Sequence, residues 1–312
     1  LILPATDAVI RADGPWEHRD IAANTARFHI VEAGDGPLVI LLHGFPMFWW
    51  TWRKIIPQFS ENGFRVVAMD LRGYGGSDHT PHGYDPMTIA ADIRGLIYSL
   101  GETKAILVGH DWGAISAWTV AAIYPDVVAG LVSVSMPHPK RLRRQILMDT
   151  VQRNALTYIY AFQLPFYAEY KLTKNDGEEV EKILRKWSGS SWPDQQTAAV
   201  YRAALLGQAS AHCALEYHRW ALRSIPRKDG RVYQTKMENL IKVPVLQIHG
   251  ELDGAITPRT AERDNEYIQG PYDYYLMPKV GHFPHEENPD EFANIIFEWI
   301  KTVPGWTGLT HE

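Results

Sequence analysis

One carboxylate in this chain sits between glycines at the end of an apolar run. Ala105-Ile106-Leu107-Val108 leads into Gly109-His110-Asp111-Trp112-Gly113, and an alanine-rich stretch, Ala114–Ile123, follows. A strand that turns sharply into a helix needs such glycines, because neighbouring backbones pass close by. The turn lifts its central side chain above the sheet, beside a helix N-terminus that favours negative charge. Asp111 in that position is a candidate nucleophile, able to form an ester with a carbon electrophile. Aspartate is equally at home as a helix N-cap, and the pattern by itself does not choose between the two roles.

Other parts of a covalent hydrolytic site occur at matching places. The run Leu38–Leu42 ends in His43-Gly44-Phe45-Pro46, a turn that can aim the Phe45 N–H over Asp111, with the Trp112 N–H as a second donor. An oxyanion hole of this kind is worth about 3–4 kcal/mol per donor. In sites built on such a turn the chain order is nucleophile, acid, histidine. Val245–His249 runs into Gly250-Glu251-Leu252-Asp253-Gly254, and Tyr274–Met277 into Gly281-His282-Phe283-Pro284-His285-Glu286. Asp253 is the expected acid, with Glu251 as the alternative. His282 is the expected base, since His285 lies further beyond the strand end. No Asp or Glu falls between Asp126 and Asp149, so no acid follows the run Gly130–Ser135.

These groups need a sheet to hold them. Arg27–Val31, Leu38–Leu42, Arg65–Met69, Ala105–Gly109, Gly130–Ser135, Val245–His249 and Tyr274–Met277 read as strands, several of them continuous Val/Ile/Leu runs of the kind buried in parallel sheets. Helical patterns fill the gaps, among them Thr88–Leu100, with Thr88 as a candidate cap, and Asp290–Lys301. Between Ser135 and Val245 there is no strand-like run, only a stretch rich in Tyr, Trp, Ala, Leu and basic residues, bounded by Pro137, Pro139 and Pro244. The expected fold class is α/β: a mostly parallel sheet flanked by helices, with a helical cap inserted after the sixth strand. Residues 1–136 and 242–312 form the core domain and 137–241 the cap. The cluster Lys140-Arg141-Leu142-Arg143-Arg144 is read as a solvated helix face.

With 312 residues the chain accommodates one catalytic domain and an insertion. A net charge of −5 gives no overall attraction to nucleic acid or acidic membranes, which removes both from the expected partners. No apolar run approaches the ~18 residues of a spanning helix, and the opening Leu1-Ile2-Leu3-Pro4 is shorter than a signal-peptide core. The single cysteine, Cys213, cannot form an intrachain disulfide and reads as a small buried hydrophobe, so a reducing cytoplasm is the expected location. No metal or cofactor is expected, and the chain would act as a monomer or homodimer.

From about Phe28 to Trp299 the chain resembles the epoxide hydrolase branch of the α/β-hydrolase superfamily. The resemblance lies in His43-Gly44-Phe45-Pro46, Asp70-Leu71-Arg72-Gly73-Tyr74-Gly75-Gly76-Ser77, Gly109-His110-Asp111-Trp112-Gly113, Asp253 and Gly281-His282. It implies hydrolysis of a small-molecule epoxide to a vicinal diol through an alkyl ester on Asp111, which water activated by His282 then cleaves. It also implies one or two cap tyrosines that protonate the opening ring. Tyr158-Ile159-Tyr160-Ala161-Phe162-Gln163-Leu164-Pro165 resembles the first tyrosine motif and Ala214-Leu215-Glu216-Tyr217-His218 the second. Tyr158 and Tyr217 are therefore the expected acids, with Tyr160 and Tyr233 as rivals. Together with Phe45 and Trp112 they are also the expected substrate contacts.

The elbow is similar to that of haloalkane dehalogenases too, and that activity is the alternative. A halide, however, leaves as an anion that needs N–H dipoles from Trp or Asn, and Phe45 offers none from its side chain. Fluoroacetate dehalogenases use cationic side chains near the elbow, where this chain has Trp112 and Ala114. An esterase would need Ser or Cys at position 111. A binding protein on the same scaffold would have no use for an intact Asp/His/Asp set.

Overall fold

The computed structural model describes residues 3–207 and 209–306; Leu1 and Ile2 of the opening, and 307–312 of the second core segment, lie outside the described residues. Eight strands form one sheet: β1 (Glu17–Ala23), β2 (Ala26–Ala33), β3 (Leu38–Leu42), β4 (Arg65–Met69), β5 (Ala105–His110), β6 (Val128–Val134), β7 (Val245–Gly250) and β8 (Tyr272–Met277), in the order β1-β2-β4-β3-β5-β6-β7-β8. β2 runs antiparallel to β1 and to β4, and the remaining pairs are parallel. The central strands β3 and β5 are buried along their whole length, as unbroken apolar runs covered on both faces must be.

The two-strand hairpin at the edge turns through Asn24 and Thr25, both at positive φ, as a right-twisted two-residue turn requires. Its first strand, Glu-His-Arg-Asp-Ile-Ala-Ala, has too few apolar residues to stand out as a strand in the sequence. The helix expected to begin at Thr88 is α1 (Pro86–Ser99), and its cap is Asp85. Asp85 Oδ1 accepts from the N–H groups of Met87 and Thr88, while the Thr88 hydroxyl donates to Asp85 Oδ2. Pro86 is the reason, because proline at the first helical position sets the start one residue after the Asp. After β5 comes α2 (Trp112–Ile123), which is buried on nearly every side.

Between β6 and β7 the chain is helical: α3 (Pro139–Met148), α4 (Thr150–Ala155), α5 (Tyr158–Phe162), α6 (Tyr167–Trp187), α7 (Gln195–Leu205), α8 (Ser210–Arg223) and α9 (Lys228–Lys236). α6 is broken at 174–177, where Asn175, Asp176 and Gly177 all take positive φ. The chain returns through β7 and β8 to α10 (Pro289–Ile300). Among the described residues no helix is long and apolar enough to cross a membrane, and no cluster of His, Cys, Asp and Glu could hold a metal ion.

Candidate active site

Four parallel strands, two on either side of β6, end on the same side of the sheet, and each delivers one part of the site in the loop that follows it. β3 supplies Phe45, β5 Asp111, β7 Asp253 and β8 His282. Loops at the carboxyl ends of parallel strands are where such sheets hold their ligands. The elbow is drawn tight: Asp111 sits at φ +52 and ψ −116, a conformation that costs a non-glycine residue on the order of 1–3 kcal/mol. Its side chain makes no capping hydrogen bond to α2, so the carboxylate points away from the helix it precedes. Two glycines are obligatory here. A Cβ on Gly44 would fall 2.4 Å from Asp111 Cβ, and one on Gly113 would fall 2.2 Å from the Leu42 carbonyl oxygen.

The Phe45 N–H donates to Asp111 Oδ1 at 3.0 Å. Trp112 is the first residue of α2, so its N–H has no acceptor within the helix. Asp111 Oδ2 faces His282 Nε2 at 3.5 Å, near enough for charge attraction but beyond a good hydrogen bond. Nε2 thus retains its capacity to take a proton from water. The other ring nitrogen, Nδ1, pairs with Asp253 Oδ2 at 2.8 Å, and Asp253 Oδ1 is fixed by the N–H groups of Ala255 and Ile256. Burial opposes charge on both Asp111 and His282, yet their mutual attraction outweighs it. The Asp111 carboxyl is held below its usual range, helped by the Phe45 amide, and the imidazole is held above its own, chiefly by Asp253 and then by Asp111.

Above Asp111 lies a cavity of about 570 Å³, well inside the range of small-molecule sites. Most of its wall is apolar, with Ile115, Met136, Leu142, Ile146, Leu156 and Ile159 among the lining residues. Tyr158, Trp112 and His218 stand around the carboxylate. Trp187, at the end of α6, packs its ring on His282 at 5.3 Å and on Tyr158 at 5.3 Å. Its carbonyl accepts from the N–H groups of both His282 (2.9 Å) and Gly254 (3.4 Å).

Residues 37–289 match the family of the alpha/beta hydrolase fold. The chain is 31% identical to epoxide hydrolase 4 of Mus musculus, over 88% of this chain and 76% of that protein. It is 30% identical to epoxide hydrolase A of Mycobacterium tuberculosis, over 92% of this chain and 98% of that one. It superposes on the crystal structure of a Bacillus megaterium epoxide hydrolase in complex with an inhibitor with a TM-score of 0.80 at 28% identity, covering 91% of this chain and all of the other. The chain belongs to the epoxide hydrolase family of α/β hydrolases.

Within that family frame the expected residues divide into two groups. Asp111, His282, Asp253 and Tyr158 are brought together, as are the Phe45 and Trp112 backbones. Glu251 is exposed and accepts from the Lys279 N–H, away from His282. His285 pairs with the Thr51 hydroxyl and stacks on Trp52. The Phe45 side chain, expected to touch substrate, is fully buried among Phe162, Trp187 and His218 and does not line the cavity.

Tyr217 requires the larger correction. Its hydroxyl donates to the Arg72 carbonyl at 2.8 Å, and its ring lies among Tyr74, Tyr84 and Trp112 outside the cavity lining. The next residue, His218, faces Asp111 in its place. One residue along a helix is a turn of about 100°, so the neighbour of a cavity residue points elsewhere. Tyr217→Phe should therefore cost about 1–3 kcal/mol of stability, because the buried carbonyl loses its donor. It should leave the rate of enzyme alkylation within a few-fold of wild type. A rate loss of a hundredfold in a protein that melts normally would return Tyr217 to the site.

The sequence reading missed His218 as a wall of the cavity, whereas Trp187, which packs on His282 and Tyr158, is one of five tryptophans, with Trp49, Trp50, Trp52 and Trp192, that the sequence offers as candidate pocket or cap walls. The only available signal for His218 was its adjacency to the expected tyrosine.

Proposed function

We propose that this chain hydrolyses epoxides to vicinal diols through a covalent ester on Asp111. The observation that carries this reading is the position of Tyr158, a phenol with no hydrogen bond to any described residue, across an apolar cavity from a carboxylate backed by an imidazole. Asp111 Oδ2, the oxygen not bound by the Phe45 N–H, attacks a ring carbon and breaks its bond to the epoxide oxygen. That oxygen takes the Tyr158 proton. Burial, and then the nearby charge of Asp111, raise the pKa of the Tyr158 phenol, so it carries its proton at neutral pH.

In the second half, His282 Nε2 takes a proton from water as the hydroxide attacks the Asp111 ester carbon. Oδ1 is then the developing oxyanion, and the Phe45 N–H already addresses it. Asp253 stabilises the imidazolium. Collapse breaks the bond from the acyl carbon to Oδ2, expels the diol and restores the carboxylate, and transfer of the imidazolium proton to the Tyr158 phenolate, through solvent, resets the site. No metal or cofactor enters either step. The predominantly apolar wall fits a predominantly apolar epoxide. A dehalogenase reading shares the nucleophile but needs free N–H dipoles for the halide, and the Trp112 indole N–H is already bonded to His218.

Tyr158→Phe tests the reading where the two activities part. It keeps the ring and removes the donor, so alkylation by an epoxide should slow by about 10²–10⁴-fold, the usual worth of a general acid. Stopped-flow alkylation at near-normal rate, or wild-type protein that releases bromide from a bromoalkane and leaves styrene oxide and a fatty epoxide untouched, would overturn the proposal.

A further inference from the structure

His218 fits neither the expected acid pair nor the packing core. Its ring lines the cavity beside Asp111 and is held edge-on by Phe45 at 4.8 Å and Phe162 at 5.2 Å. Its Nε2 lies 3.1 Å from the indole Nε1 of Trp112, and its Nδ1 lies 3.2 Å from the Ala214 carbonyl one turn back on α8. An indole nitrogen can only donate and a carbonyl can only accept. Nε2 is therefore the acceptor, Nδ1 carries the ring's proton, and the imidazole is neutral. Burial agrees, pushing the His218 pKa down to about 4 against the pull of Asp111. Both ring nitrogens are engaged, so neither offers a donor to a bound substrate.

We propose that His218 determines the leaving-group specificity of this site by occupying the Trp112 indole N–H, which would otherwise be free to stabilise a departing halide. The inference rests on the epoxide reading above and names the device that enforces it. Of the three polar groups around the carboxylate, the phenol of Tyr158 is the one left with a free donor. An alkoxide is strongly basic and takes the phenol's proton. A halide, the conjugate base of a strong acid, takes no proton at neutral pH and depends on N–H dipoles. The indole adjoins the nucleophile in sequence and lines the same cavity, whereas the His110 imidazole on the other side is bonded to the His282 carbonyl. Committing it to the imidazole leaves a site suited to an oxygen leaving group.

The test measures halide binding without turnover, so it is independent of whether any epoxide is hydrolysed. Chloride NMR line broadening, displaced by bromide, is recorded for wild type, His218→Ala, His218→Leu and each combined with Trp112→Phe; circular dichroism and a cooperative melt establish the fold. Either substitution at 218 removes the acceptor, and leucine keeps more of the packing in case alanine is too disruptive. Freeing one N–H for an anion should tighten halide binding by about tenfold or more, the worth of a hydrogen bond to a charged group. The gain should vanish with Trp112→Phe. The proposal is overturned if a folded 218 variant shows no gain, if the gain survives without the indole, or if wild type already binds halide as tightly.

Discussion

Asp111→Ala should abolish diol formation, with a loss of about 10³-fold or more, while the protein still melts cooperatively. The cavity holds no second carboxylate in its lining, so no other side chain there can carry the ester. The fold should tolerate the change because the Asp111 side chain does not cap α2 and the loss falls at the cavity floor. Alanine at φ +52 inherits the backbone strain already present. The measurement is steady-state diol formation with trace wild type excluded by separate preparation. Residual activity above about 1% would end the nucleophile assignment. A complementary experiment needs no substitution: one turnover in water enriched in oxygen-18 should leave the label in the Asp111 carboxylate, because the water oxygen stays on the acyl carbon while Oδ2 leaves with the diol.

His282→Gln should arrest the reaction halfway. Asp111 remains able to attack, and the glutamine amide can still donate towards Asp253, but no group takes the proton from water. Intact mass should rise by the mass of the epoxide, and digestion should place the adduct on the peptide containing Asp111. Hydrolysis should slow by about 10³-fold or more, as for loss of an essential base. Protein that stays unmodified after long exposure would contradict the assignment.

The same geometry fixes the direction of the pH dependence. In the resting site two carboxylates, Asp253 and Asp111, favour the imidazolium and raise the His282 pKa. Esterification removes the Asp111 charge, so the pKa falls when the ester forms, with Asp253 still holding it up. Hydrolysis needs the neutral ring and should therefore lose rate as pH falls through that value. Alkylation needs the Asp111 carboxylate, whose pKa is held low, and should stay level over the same range. Single-turnover rates from about pH 5 to 9 separate the two steps; an acidic limb on alkylation alone would reverse the assignment.

The sheet was readable where burial is two-sided. Leu38–Leu42 and Arg65–Met69 coincide with β3 and β4 because an uninterrupted apolar run has no other use in a parallel sheet. β1 was not readable, since an edge strand paired only with β2 exposes most of its residues and needs no apolar run. The Asp111, Asp253 and His282 positions were legible because each lies in the short loop that leaves a strand, and strand ends are where sequence pattern is sharpest. The second cap position was not. α8 is buried at Tyr217, His218 and Arg219 alike, so no amphipathic period marks which face meets the cavity. Which neighbour fills that position depends on how the cap helices pack, and local sequence does not encode that.

The Trp187 carbonyl, bonded to the backbones of both His282 and Gly254, makes the cap part of the scaffold that aims the base and the acid. Because this tie runs through main-chain atoms, it sets almost no condition on side-chain identity and a strict one on chain path. Cap sequences can therefore drift, and substrate preference with them, as long as one peptide group keeps its orientation. Grafting a foreign cap onto this core becomes a problem of matching a single carbonyl vector before matching any pocket.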